Sequence, residues 1–580
     1  VSGFLDYLGR SESLRWRLDP EALEHWLRHN RTQVLLDGLD EVFDLQLRQE
    51  VTTTIHRFAD DYPHAQIVVS SRLIGFHHER WRQDGFRPFM LQELDKEQRE
   101  LFLRCWHQLA YDDESKGERK RASLLQAIQQ SPAIQQLAGN PLLLTLMAIL
   151  NRSQELPRDR AELYSQCARL LLHQWKTELA FEASPELAQA QLDGKDKLGL
   201  MKRIAWTLQA GADGAAGNLV NLIEENQLER TLSEGLEGIP GLRPDRAARA
   251  LIEQLRGRNF MLCFMGGGNY AFVHRTFLEY FCAEAIVDRF QVEQTLTIDA
   301  LKTEIFGHWP DESWHEVLRL VAGRLAPKFV GEILDWLLQQ PDPDQSCDHI
   351  FLAARCVGEV RNRGELASAE DYVKQATKDL IRFRHDDSST SLSISIKVIE
   401  YGFTPVVWQG RSVTIQATRL VADVWKDDPD TLWWIKEQAI SNQNVAVRLS
   451  AAQALVKGWK EDPDTLKILK EHAQPHFNFL LMVNAVVCLA CWWRDDPATL
   501  KLLKECAQSD ESVLRLCTVW LLGRYSKEDS GALAILKEFA QSDEDDTVRK
   551  NAVEQLDKFW KDNAEIQVFL KGLRNSSPAI

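Results

Sequence analysis

The sequence Asp-Pro-x-Thr-Leu occurs three times. It reads Asp428-Pro429-Asp430-Thr431-Leu432, then Asp462-Pro463-Asp464-Thr465-Leu466, then Asp496-Pro497-Ala498-Thr499-Leu500, each 34 residues after the last. Trp425, Trp459 and Trp493 keep the same step, and Arg448, Arg515 and Arg549 fall at matching places. An aspartate followed by proline is a helix start, because the carboxylate accepts from free backbone N–H groups and proline suits the first helical position. Each unit therefore reads as a short capped helix, a polar loop and a longer Ala/Leu/Val-rich helix. A two-helix unit of this period buries its apolar face only against its neighbours, which predicts an α-solenoid over residues 411–580.

A second stretch carries candidate chemistry. Gln33-Val34-Leu35-Leu36-Asp37-Gly38-Leu39-Asp40-Glu41 is an apolar run that ends in three carboxylates. A helical pattern follows from Leu45 to Tyr62, and then a second apolar run, Gln66-Ile67-Val68-Val69-Ser70-Ser71-Arg72. Phe89-Met90-Leu91 reads as a third strand. Continuous apolar strands alternating with a helix predict a parallel sheet buried on both faces. Acids delivered at the end of a buried strand are suited to Mg²⁺ and to orienting a water beside a phosphate. The plainer alternative is an acidic turn, since Asp-Gly is common turn chemistry. Arg72 is either a phosphate-sensing arginine or an ordinary surface one.

From Asp95 the pattern is helical, broken at Gly139-Asn140-Pro141. Phe260–Phe264 and Tyr270–Val273 flank Met265-Gly266-Gly267-Gly268-Asn269, which predicts a hairpin. A helix from Arg275 to about Val287 follows, giving a winged-helix-like order.

Length and composition bound the rest. A chain of 580 residues needs several cores. With 69 Lys and Arg against 85 Asp and Glu, the formal charge is −16, so nucleic acid is an unfavoured partner. The helix after the hairpin is not lysine-rich, so DNA binding is unfavoured there too. No apolar stretch reaches the ~18 residues of a membrane span, which argues against membrane insertion. Ten scattered cysteines suit a reducing cytoplasm. Cys488-Leu489-Ala490-Cys491 has no second pair, so packing cysteines are expected rather than a metal site.

Four of these segments together resemble the NACHT family of signal-transducing STAND NTPases. Val34–Val42 resembles its Walker-B segment and Ile67–Arg72 its sensor-1 strand. Leu137-Ala138-Gly139-Asn140-Pro141-Leu142 resembles the motif whose proline packs near adenine. Phe272-Val273-His274-Arg275-Thr276-Phe277-Leu278 resembles the winged-helix segment whose histidine reaches the phosphates. They occur in the family's order, and the solenoid resembles the HEAT-like arrays of bacterial, often cyanobacterial, members.

The resemblance implies an α/β fold, a partial P-loop NTPase parallel sheet, followed by an all-α helical domain, a winged-helix-like domain and an α-solenoid. The boundaries are 1–94, 95–195, 196–290, a helical linker over 291–410, and 411–580. It implies ATP or ADP with Mg²⁺ as cofactors. Asp37 would hold Mg²⁺ through water, Asp40 and Glu41 would be catalytic, and Arg72, Pro141 and His274 would bind nucleotide. Read without the family, Pro141 is a first-turn proline and His274 a structural residue. The implied function is an ATP/ADP switch that opens and self-associates when the solenoid meets a protein ligand, as in antiphage defence.

The departure is upstream. No Gly-x-x-x-x-Gly-Lys-Ser/Thr occurs in the chain, and only 33 residues precede Val34. That motif supplies backbone N–H groups and a lysine to the phosphates. The expectation is therefore an N-terminally truncated chain: ATP or ADP and Mg²⁺ belong to the full-length family member, and this chain alone neither binds nucleotide tightly nor hydrolyses it. The alternative is a non-enzymatic HEAT-like scaffold with a vestigial nucleotide fold.

Overall fold

The apolar run that ends at Asp37 folds as a strand. In a computed structural model of the chain, α1 (Pro20–His29) leads into β1 (Thr32–Leu36), α2 (Leu45–Asp61) crosses over, and β2 (Ala65–Val69) returns parallel to β1. Val34 stands opposite Ile67 and Leu36 opposite Val69. The structure describes residues within 20–383 and 412–576, apart from 72–80, 178–191, 212–221 and several shorter stretches.

Side chains alternate along a strand, and the described residues cover one face of this pair. Leu27, Phe58 and Tyr62 pack on Val34 and Ile67, while Ile55 and Trp81 pack on Leu36 and Val69. The opposite face differs from the two-sided burial expected of it: Leu35 is 68% and Val68 44% exposed. The anticipated strand at Phe89–Leu91 is also absent. These residues enter no ladder and are exposed. A strand exists by pairing, and no described segment pairs with this one. Instead, the Leu94 N–H donates to the Gly139 carbonyl at 2.8 Å.

Asp95 opens the helical part with a reciprocal cap. Its carboxylate accepts from the Gln98 N–H (2.7 Å), and the Gln98 side chain accepts from the Asp95 N–H (3.0 Å). There follow α3 (Lys96–Ala110), α4 (Glu114–Gln130), α5 (Pro132–Leu137), α6 (Pro141–Asn151) and α7 (Arg160–Thr177). Helix α6 buries Leu143, Leu144, Leu146, Met147, Ala148 and Leu150, as its unbroken apolar sequence requires.

Next come α8 (Gly194–Ala210), β3 (Ile223–Glu224), α9 (Glu225–Leu236), α10 (Pro244–Gly257), the hairpin β4 (Leu262–Gly266) and β5 (Asn269–Phe272), and α11 (Arg275–Val287). The hairpin turns at Gly268, whose φ of +76° favours glycine. The sheet order is β3-β5-β4, so the hairpin carries a third, two-residue strand that the sequence did not announce. Helix α11 is almost wholly buried and is held by ion pairs. Glu284 faces Arg324 at 2.8 Å from α12 (His315–Arg324), and Lys202 of α8 meets Asp288 at 2.6 Å.

The chain divides into two compact units, Val1–Leu325 and Ala326–Ile580. The second is helical throughout its described residues. After α13 (Pro327–Leu338), α14 (Asp348–Glu359), α15 (Ser368–Phe383) and α16 (Val413–Val424) come the repeats. They are α17 (Pro429–Ser441) and α18 (Val445–Gly458), α19 (Pro463–His472) and α20 (Phe479–Trp492), α21 (Pro497–Cys506) and α22 (Ser512–Tyr525), and α23 (Ser530–Ser542) and α24 (Asp546–Phe559), closed by α25 (Ala564–Ser576).

The recurring residues have recurring jobs. Asp428, Asp462, Asp496 and Asp529 cap the first helix of their repeats. A lysine from the preceding repeat meets each of the last three: Lys436 on Asp462 (2.7 Å), Lys470 on Asp496 (2.6 Å) and Lys504 on Asp529 (2.9 Å). Lys374 of α15 does the same to Asp428. Arg448 and Arg515 donate to the carbonyls of the loop before their own helix, at 2.6 Å to Asn442 and 2.9 Å to Ser509, and Arg549 donates to Asp543 in the same way. Cys488 is buried and Cys491 half-buried, and burial pushes the Cys488 thiol up to about 12. Among the described residues no helix is long and apolar enough to cross a membrane.

Candidate functional site

At the end of β1 the chain must turn sharply. Gly38 does so with φ +78°, a conformation that L side chains seldom adopt. The turn is stitched to the end of β2. The Ser70 hydroxyl donates to Asp37 Oδ1 and accepts from the Gly38 N–H at 2.9 Å. The Leu39 N–H donates to the Ser70 carbonyl at 3.0 Å, and the Ser70 N–H to the Leu36 carbonyl at 2.9 Å. Asp37 is thus an exposed carboxylate held by one oxygen on a rigid strand end. Ser70 was not singled out from sequence. Its place at the end of the neighbouring strand was the only signal available.

Asp40, Glu41 and Arg72 lie outside the described residues. Among the described residues no group of three or more His, Cys, Asp or Glu is placed to hold a metal. One exposed carboxylate suits outer-sphere contact with a Mg²⁺ carried by phosphates, and does not make a self-sufficient metal cage.

The other two singled-out residues come together elsewhere. Asn140 caps α6, its Oδ1 accepting from the N–H groups of Leu142 (2.9 Å) and Leu143 (3.1 Å), and Pro141 fills the first helical position with its side chain exposed. His274 caps α11. Asn140 Nδ2 lies 2.8 Å from His274 Nε2, and His274 Nδ1 lies 2.9 Å from Thr276 Oγ1. The N-termini of α6 and α11 are therefore tied directly, across 134 residues of sequence.

Gly139 supports this junction. A Cβ there would stand 2.7 Å from a Glu93 carboxylate oxygen and 3.1 Å from the Glu93 Cβ, so glycine lets the 89–95 segment lie against it. Burial holds the half-buried His274 ring below the ordinary histidine range, so the ring is neutral at pH 7. The positive ends of two helix dipoles act in the same direction. Asp37 has its bond to Ser70, and His274 has its bonds to Asn140 and Thr276. No hydrogen bond among the described residues joins the two places.

Residues 160–286, running from α7 through His274 into α11, match the winged helix-turn-helix domain that lies C-terminal to NACHT. This match takes in α7, which the sequence reading grouped with the preceding helical domain. Residues 481–557, from α20 to α24, match HEAT repeats. The chain has no match among curated proteins.

Proposed function

Because the chain is a NACHT-family protein with C-terminal HEAT-like repeats, we propose that it works as a signal-transducing nucleotide switch. ATP or ADP would meet this chain at two places, the β1 end and the α6–α11 junction. The observation that carries the reading is the junction itself: Pro141 and His274, singled out separately from sequence, are brought together by the Asn140–His274 bond.

In this reading β1 and β2 belong to a P-loop NTPase sheet, and Asp37 is the Walker-B carboxylate. Its Ser70 bond fixes one oxygen, leaving the other toward the hydration shell of a nucleotide-borne Mg²⁺. Asp40 or Glu41 orients the attacking water, and Arg72 senses the γ-phosphate. Hydrolysis belongs to a protein that also contains a P-loop, since no such motif occurs here. Exchange of ADP for ATP would release α11 from the nucleotide, and the opened form would self-associate. The solenoid would bias that equilibrium by binding a protein ligand. We place the protein in the cytoplasm, with defence against phage as its setting.

The test is ATP turnover by the native protein from its host, compared with D37A and D40A forms made in the same background. Loss of turnover in both supports the reading. Turnover untouched by either substitution refutes it.

A second reading, a non-enzymatic scaffold, is favoured by one observation. Trp433 is 66% and Trp492 50% exposed on the array. Exposed tryptophan is a common anchor for protein partners.

A further inference from the structure

Asn140 does more at this junction than a helix cap requires. Ser, Thr or Asp would cap α6 equally well. Asn caps with its oxygen and keeps a donor to spare. Two backbone N–H groups fix which end is the oxygen, so Nδ2 must point at His274. That amide can only donate, so Nε2 must accept. The ring proton then sits on Nδ1, where Thr276 Oγ1 accepts it at 2.9 Å.

A phosphate oxygen makes the opposite demand. It accepts only, so it needs a proton on Nε2. The ring has the partners for that state as well. The Thr276 N–H already points at Nδ1 from 3.3 Å, and it can donate there only when Nδ1 carries no proton. Thr276 therefore serves both tautomers, with its hydroxyl in one and its backbone N–H in the other.

The charged groups nearby are engaged elsewhere. Arg275 donates to Glu279 at 2.7 Å and to the Ser313 carbonyl at 3.2 Å. Arg160 of α7 and Arg319 of α12 pair with Glu316. Glu93 lies against Gly139. None of these bonds to the ring.

We propose that Asn140 is a positioning residue that locks His274 in its Nδ1–H form, and that a nucleotide phosphate captures His274 only by displacing Asn140 and placing the proton on Nε2. The proton leaves Nδ1 for solvent and another arrives at Nε2, so charge and atoms balance. Nucleotide and the α6 cap thereby compete for one ring nitrogen, and α11 reports which has won. The phosphate half rests on the nucleotide reading above. The lock does not.

The experiment is ¹⁵N NMR of the full chain labelled at histidine, with the His274 signals assigned by their loss in H274Q. The proposal expects Nδ1–H without nucleotide. N140D keeps the cap but presents an acceptor, so it should convert the ring to Nε2–H or to the imidazolium. N140S keeps the cap and removes the amide donor, so it should leave a mixture. Mg·ADP, bound, should convert the wild-type ring to Nε2–H. An Nε2–H ring in the free wild type, or a ring unchanged by N140D and N140S, overturns the lock. Bound Mg·ADP with the ring still Nδ1–H overturns the exchange. A confirmed lock in a chain that binds no ADP overturns the exchange for this chain, while the lock stands.

Discussion

Asn140 Nδ2 donates to His274 Nε2 at 2.8 Å, and the two residues stand at the N-cap positions of different helices. This bond orders the two helix starts relative to each other, so a change at either should be felt at both.

Replacing Asn140 with Ala should remove the α6 cap and the tie to α11 together. The cap alone is worth about 1 kcal/mol. Hydrogen exchange should accelerate at Leu142 and Leu143, which lose their acceptor, and also at the first turn of α11. N140D should accelerate neither Leu142 nor Leu143.

Four histidines, His107, His274, His349 and His472, sit below the ordinary range because burial disfavours their charged forms. The unfolded chain therefore binds more protons than the folded one between the folded values and the ordinary value of 6.5. Their contribution is full above 6.5 and fades as pH falls through that window. Urea midpoints should drop between about pH 7 and pH 5, and H472Q should flatten the drop in the solenoid transition.

The solenoid ladder should depend on the aspartates more than on the lysines. Asp496 both caps α21 and receives Lys470. The Lys470 hydrogen bond holds the Asp496 carboxyl below its usual range, so this support is present at neutral pH and fades as pH falls through the acidic range. D496A should destabilise by about 1 kcal/mol. K470A should cost less, because a half-exposed ion pair is worth at most about 1 kcal/mol. Chemical unfolding of the two variants and their double mutant separates the terms.

Among the described residues of the array, Arg515 makes a two-pronged and largely buried ion pair. It grips Asp543 through two bonds, 2.8 and 3.0 Å, with the carboxylate side chain only 3% exposed. It also closes the loop carbonyls of Ser509 and Asp510. Removing one partner of such a pair strands the other, so R515A should cost about 3 kcal/mol in chemical unfolding. R515K cannot make the two-pronged contact and should fall between.

Much of this architecture is legible in the sequence, for local reasons. Asp-Pro marks helix starts at 428, 462 and 496 because capping is a property of adjacent residues. The runs at 33–36 and 66–69 announce β1 and β2 by composition. What fails is what depends on neighbours. Phe89–Leu91 has strand composition and no partner, and Leu35 and Val68 are apolar on an open face. Ile223–Glu224 is too short to show a period.

Within the site, Pro141 and His274 were readable one by one, and their meeting was not. A bond between residues 134 apart leaves no local signature, and neither does the Ser70–Asp37 bond between adjacent strand ends. Asp40, Glu41 and Arg72 fall outside the described residues.

The central claim is that this junction serves a nucleotide. The most direct measurement is the nucleotide content of the native protein, purified from its host without added ATP, denatured, and its released bases quantified. The account expects close to one ADP or ATP per chain, reduced in H274A. A native protein that releases none, while folded and intact, would contradict it.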